Sequence, residues 1–271
     1  MEIPNLTKKR IAEFISQGKR FDNRGLLEHR EIKIETGVSK NAEGSARVKI
    51  GTTEVIAGIK MDVSEPYADS QESGNLITTV ELLPLSSPKF EPGPPKIEAV
   101  EIARIVDRGL RESGFIDFEK LCIKKGEKVW SIYVDIYSIN DAGNLLDAAA
   151  LAAVAALKNA RLPKYDEKEE RVCFGEWTKE KLPLTEALPI SLTFHKIGKS
   201  ILLDPISEEE ESSEARLTIA VSKQGKEPFI NALQKGLDTP LSKEEVFAII
   251  DHAVEACEKL HPKIMKSVED K

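Results

Sequence analysis

The chain is poor in cysteine, in histidine and in positive net charge, and each scarcity removes a class of function. Its three cysteines, Cys122, Cys173 and Cys257, lie far apart and form no CxxC pair. An odd, scattered set makes neither a disulfide framework nor a zinc ribbon, and it fits a reducing compartment in which the thiols simply pack. The four histidines (His29, His195, His252 and His261) show no HxH or HExxH spacing, so no metal site is expected. GxGxxG, P-loop and Gly-x-Ser-x-Gly patterns are also missing, and no cofactor is expected. No apolar run reaches the ~18 residues of a membrane helix. The opening MEIPNLTKKRIAEFISQGKR breaks its apolar positions with charges of both signs, whereas a secretory signal needs an unbroken apolar stretch. The expectation is a cytoplasmic protein with no membrane attachment.

Lys and Arg number 39 against 46 Asp and Glu, a net charge of −7. Proteins that grip nucleic acid through their overall field are usually basic, so any RNA contact here has to come from a local patch. With 41% hydrophobic and 31% charged residues in 271, the chain has the make-up of an ordinary globular protein. It is long enough for one large domain or two modest ones.

Periodicity predicts an amphipathic helix over 6–17, then strands over 31–35, 46–50, 54–61 and 76–83. Prolines 84, 88, 92, 94 and 95 make the next segment a stiff extended loop. A helix over 97–111 follows, with Ala99, Ile102, Ala103, Val106 and Leu110 on its apolar stripe. A long strand over 129–139 leads to Asp141 or Asn144 as the cap of a helix made almost wholly of Ala and Leu, which has to be buried. Strands are then predicted over 191–196, 200–203, 217–222 and 229–233, and Ser242 with Glu245 forms a capping box for a last helix. The order suggests an α/β (α+β) fold of two related halves, mixed sheet packed with helices. The division is an N-terminal helix over 1–20, a first half over 21–165, a polar proline-bearing linker over 166–189 and a second half over 190–271.

Two features carry possible chemistry. The run from Asp204 through Glu208, Glu209, Glu210 and Glu211 stands at a strand end. Carboxylates gathered there can hold Mg²⁺ or act as acid and base, or the run is a solvated loop. Arg104, Arg108 and Arg111 share the helix face opposite the apolar stripe. Arginine forks match phosphate oxygens, so the three could follow an RNA backbone. The alternative is a solvated face partly neutralised by Glu101 and Asp107, with Glu112 close by.

Several segments, in order, resemble one family. GKRFDNRGLLEHREIKIETG is similar to the Arg-x-Asp-Gly-Arg opening of RNase PH-type proteins, here Arg20, Asp22, Arg24, Glu28 and Arg30, with Asn23 in place of the glycine. GSARVKIGTTEVIAGIK resembles the family's Gly-Ser-Ala strand pair. EPGPPKIEAVEIARIVDRGLRES, VWSIYVDIYSINDAGNLLDAAALAAVAAL and ILLDPISEEEESSEARLTIAV resemble the non-catalytic RNase PH-like ring subunits of archaeal exosomes, within the RNase PH / polynucleotide phosphorylase superfamily. Together the segments cover about residues 20 to 255.

The resemblance implies an RNase PH-like fold and a six-membered ring of three heterodimers, with RNA-binding cap proteins. This chain would pair with a catalytic RNase PH-like subunit and guide single-stranded RNA for 3′-to-5′ phosphorolytic degradation. Catalytic relatives place phosphate-binding arginines before the first large helix and a Gly-Gly-Thr-Arg-Thr segment before the second. Here 96–100 is Lys-Ile-Glu-Ala-Val, and Leu145 in Ala142-Gly143-Asn144-Leu145-Leu146 stands where the second arginine would be. The family's catalytic aspartate, six residues after a strand-end aspartate, becomes Glu210 after Asp204. Phosphate bound without arginines is unclamped, and one methylene misplaces a carboxylate. The resemblance therefore implies a retired catalytic site, with RNA contact left to Arg104, Arg108 and Arg111. The alternative is a self-sufficient phosphorolytic 3′-to-5′ exoribonuclease using Asp204 and Glu210. A free-standing RNA-binding scaffold fits the acidic charge least.

Overall fold

A computed structural model describes residues 3–166, 168–225 and 227–269. After helix α1 (Asn5–Ser16), the first half is a six-stranded sheet built from β1 (Ile32–Thr36), β2 (Gly44–Ile50), β3 (Thr53–Ser64), β4 (Asn75–Glu81), β5 (Cys122–Lys124) and β6 (Lys128–Asn140). Its order is β1-β2-β3-β6-β4, with β5 also paired to β6. Strands β1, β2, β3 and β6 pair antiparallel, whereas β4 runs parallel to β6. A parallel pair needs a crossover connection. The proline-bearing loop and α2 (Ile97–Glu112) supply it.

The second half is an antiparallel four-stranded sheet in the order β10-β9-β11-β12. These strands are β9 (Ile190–Ile197), β10 (Ser200–Leu203), β11 (Ala215–Gln224) and β12 (Glu227–Gly236), and the chain ends in α5 (Lys243–Glu269). The mixed character of the fold thus lies in the first sheet alone.

Helix α3 (Leu145–Asn159) sits between the halves, against β2 and β3 on one side and β9 on the other. All its residues from Leu146 to Leu157 are buried. Alanine makes this possible, because a methyl group lets a helix backbone approach sheets on both sides. Residues of both halves belong to one continuous hydrophobic core, while α1 closes a small separate cluster of Ile11 and Ile15 on Ile197 and Leu202.

Helix α5 opens with the expected capping box: the Ser242 N–H donates to Glu245 Oε2 at 2.8 Å, and the Glu245 N–H to Ser242 Oγ at 3.2 Å. The polar stretch that composition marks as a boundary carries a ribbon, β7 (Arg161–Asp166) paired antiparallel with β8 (Arg171–Lys181). Most of β8 is exposed, so it shows none of the period-two apolar signal that announces a half-buried strand.

Helix α3 and its C-terminal end approach β2 closely at Gly44. A Cβ there would lie 2.7 Å from Ala160 Cα and would also meet the Ala156 carbonyl. Gly44→Ala is expected to lower unfolding free energy by roughly 1–3 kcal/mol, the usual cost of overpacking. Chemical denaturation of the two proteins measures it, and equal midpoints would refute this packing.

Candidate anion site and arginine face

Asp204 ends β10 with a left-handed backbone, φ 52°, and its side chain is fully buried. Arg30 donates to it three times, from Nη2 to Oδ1 at 2.7 Å, from Nε to Oδ2 at 2.9 Å and from the backbone N–H to Oδ2 at 2.8 Å. Arg24 Nη1 adds 3.1 Å and Asn144 Nδ2 adds 2.7 Å. Burial alone would raise the Asp204 pKa, but the hydrogen bonds and charge of Arg30 hold it far below the carboxylate range. Arg20 is equally enclosed. Its Nε and Nη2 fork onto Glu209 at 2.9 and 2.5 Å, and its remaining donors reach the Leu203 and Asp204 carbonyls at 2.9 and 2.8 Å. The Arg20, Arg24 and Arg30 motif is therefore a clamp that ties the segment before β1 to the end of β10.

The acidic run is accordingly not a solvated loop. Ser207–Glu210 is a helical turn, α4, in which Glu209 is buried and Glu210 is half-buried. Only part of the run is solvated, Glu208 being exposed. Composition could not separate these, because the buried members differ from the wet ones only in meeting Arg20 and the start of α3.

That helix start is built for an anion. Gly143 has φ 90°, and a Cβ there would lie 2.6 Å from the backbone of Ile206 and Ser207, so only glycine lets the two segments meet. Asn144 is the N-cap but does not cap through its side chain, as the sequence suggested it could. Its φ is 58°, and its amide reaches Asp204 and Asp147 instead. Its backbone N–H points at Glu210 Oε1, 2.7 Å away. The protein's own carboxylate thus fills the place at a helix N-terminus where an external anion would bind. Leu145 packs against the core, and Lys96, the lone cation in 96–100, is held by Glu91 at 2.8 Å.

Burial pushes Glu210 up to about 7; the Asn144 N–H opposes this and the charge of Asp141 adds to it. Asp147, inside α3, is raised to about 6 by burial, against its bonds from Thr193 and Asn144. Among the described residues no group of three or more His, Cys, Asp or Glu could hold a metal ion.

On α2, Ala99, Ile102, Ile105, Val106, Gly109 and Leu110 are buried, and Arg104, Arg108 and Arg111 are exposed. Their environments differ. Arg111 pairs with Asp107 at 3.1 Å, donates to the Leu76 carbonyl at 3.1 Å and lies over Phe118. Glu101, the other carboxylate expected to neutralise this face, is held by Arg216 of β11. Arg104 and Arg108 engage no ion pair among the described residues. They line a hollow of about 290 Å³ with Glu101, Thr218, Leu233 and Gln234, and a second one beside it with Thr79 and Asp107. Spacing gave no sign of Arg216, because its partner lies over a hundred residues away.

The Glu210 shift has a testable sign. The free carboxyl titrates near 4.5 and the folded one near 7, so this group favours the folded state most below pH 4.5 and loses that contribution as pH rises through 7. Glu210→Gln removes the dependence while keeping an acceptor for Asn144. Relative to the parent chain, the variant should gain stability from pH 5 to pH 8 by on the order of 1 kcal/mol or more. Asp204 acts oppositely and only below pH 4, outside that window. Denaturation at both pH values checks it, and a pH-independent difference would count against the buried, protonated carboxyl.

Comparison with known proteins agrees with this architecture. The profile of the 3′ exoribonuclease family, domain 1, matches residues 28–163, and that of domain 2 matches 187–256. The chain is 44% identical over 266 residues to the exosome complex component Rrp42 of Methanothermobacter thermautotrophicus, covering 98% of this chain and 97% of the relative. Among solved structures it resembles a chain of the Archaeoglobus fulgidus exosome with RNA bound to the active site, at TM-score 0.87 and 39% identity over 96% of this chain and 98% of that one. A chain of an archaeal exosome core matches at TM-score 0.83 and 36% identity, over 96% and 97%. With both domain profiles in order along one continuous core, this chain belongs to the RNase PH-type 3′ exoribonuclease family.

Proposed function

We propose that the chain is the non-catalytic ring subunit of an archaeal exosome. It pairs with a catalytic RNase PH-like subunit in three heterodimers under RNA-binding caps, in the cytoplasm, and helps hold single-stranded RNA for phosphorolytic 3′-to-5′ degradation. Its two halves, 21–165 and 190–271, make one ring position. The observation that carries this reading is Glu210 seated on the Asn144 N–H. Phosphorolysis needs inorganic phosphate held against its own charge beside the scissile bond. Here the anion position is occupied by a carboxylate, Leu145 brings no charge, and both Asp204 oxygens are saturated by Arg24, Arg30 and Asn144. A self-sufficient phosphorolytic nuclease would need all three conditions reversed. The archaeal relatives and the RNA-bound exosome structure support the same assignment by their similarity.

The positive contribution comes from α2. Arg104 and Arg108 are exposed and, among the described residues, in no ion pair, while two of the carboxylates around them, Asp107 and Glu101, are taken by Arg111 and Arg216; Glu112 stands at the far end of the face. This is a local basic patch of the kind an acidic protein needs in order to touch RNA. Arg111, bound within its own helix and to the strand beneath, contributes least.

Two measurements test the reading. The chain alone, supplied with single-stranded RNA, phosphate and Mg²⁺, should release no nucleoside diphosphate; steady phosphate-dependent release from a preparation free of relatives would overturn it. In the assembled ring, Arg104→Ala with Arg108→Ala should weaken RNA binding about tenfold or more, since charge-assisted contacts contribute on the order of 1 kcal/mol each. The loss should be similar for different RNA sequences, and the salt slope should fall by about 0.7 per contact. Unchanged affinity and slope with an intact ring would return both arginines to the solvent.

A further inference from the structure

Glu101, Arg104 and Arg108 stand on one stripe of α2, at i, i+3 and i+7, and face the same hollow. A glutamate three residues before an arginine on a helix is well placed to pair with it. Here it does not. The Glu101 carboxylate is bound by the Arg216 guanidinium, whose side chain is only 15% exposed, against 33% for Glu101. The fold makes room for this arrangement. Arg216 on β11 lies opposite Gly236 on β12 in the strand register, and the space a Cβ on Gly236 would need is filled by the Arg216 guanidinium. A glycine at this edge position thus accommodates an arginine that reaches across to α2.

We infer that Arg216 is a positioning residue for RNA binding: by holding Glu101, it keeps Arg104 and Arg108 free of an internal counter-ion and open to phosphate. The inference rests on the reading of α2 as an RNA-contacting face. Arg216 itself need touch no RNA. Without it, Glu101 becomes an unmatched negative charge beside Arg104, competing for its guanidinium and repelling an incoming phosphate.

The test measures affinity and salt slope of the assembled ring for a fluorescent single-stranded RNA. Arg216→Met keeps the stem volume and removes the charge. It should weaken binding about two- to fivefold, the order of magnitude of one helix-face ion pair plus an uncompensated charge, with a shallower salt slope. Adding Glu101→Gln should restore both to the parent values, because the competing carboxylate is gone. Gly236→Ala provides a charge-neutral second route, since its Cβ displaces the guanidinium; it should weaken binding in the same direction and be rescued by Glu101→Gln. Should Arg216→Met fail to assemble, this second pair decides. Weaker binding that Glu101→Gln does not restore, or no change in either variant, overturns the inference. The Arg104→Ala, Arg108→Ala ring is measured alongside: if it also binds normally, the RNA-face reading itself has failed, whereas if it alone binds weakly, only the role of Arg216 has.

Discussion

The Asp204 carboxylate receives Arg24 and Arg30 from the segment before β1 and Asn144 from the turn before α3, while Asp204 itself directly follows β10 of the second sheet. Three separated parts of the chain therefore converge on one buried negative charge. Such a cluster adds little net stability over apolar packing when complete, but removing one partner costs about 3–5 kcal/mol, because the rest are left charged and dry. This makes the junction of the halves specific as well as stable. Pairing α3 with the wrong stretch of the second sheet would bury two arginines without a counter-charge.

The same clamp bears on chemistry. A carboxylate that accepts five hydrogen bonds has no lone pair free for a metal or a proton transfer, and its pKa is held too low for it to act as an acid. Glu210 is the opposite case, raised by burial and placed on a helix N-terminus. Between them the two carboxylates are one permanent anion and one group that takes up a proton near neutral pH. Under the proposed function, neither state serves phosphorolysis.

Charge is distributed with similar economy. The chain is acidic, yet on α2 two of the acidic side chains next to Arg104 and Arg108 are engaged elsewhere, Asp107 by Arg111 and Glu101 by Arg216. A protein of net charge −7 can in this way present a small basic surface without becoming basic overall. Under the proposed function, such a distribution keeps non-specific attraction to nucleic acid low and confines contact to the small basic surface.

The sequence alone determined the order of the four long helices and of the strands other than β5, β7 and β8, the burial of the alanine-rich helix, the capping box at Ser242 and Glu245, and the absence of arginine at 96–100 and 145. These are local facts, set by periodicity of two or 3.6 residues and by residue identity, so a linear reading reaches them. The ribbon of β7 and β8 escaped because most of β8 is exposed and has no apolar period. The acidic run was legible as charge but not as location. Only the tertiary structure decided that Asp204 and Glu209 are buried counter-ions, that Glu210 fills the anion position at Asn144, and that Arg216 holds Glu101 away from Arg104. Each is a pairing between residues far apart in the chain. What a charged side chain does depends on the charge it meets, and the sequence contains the charges but not their meetings.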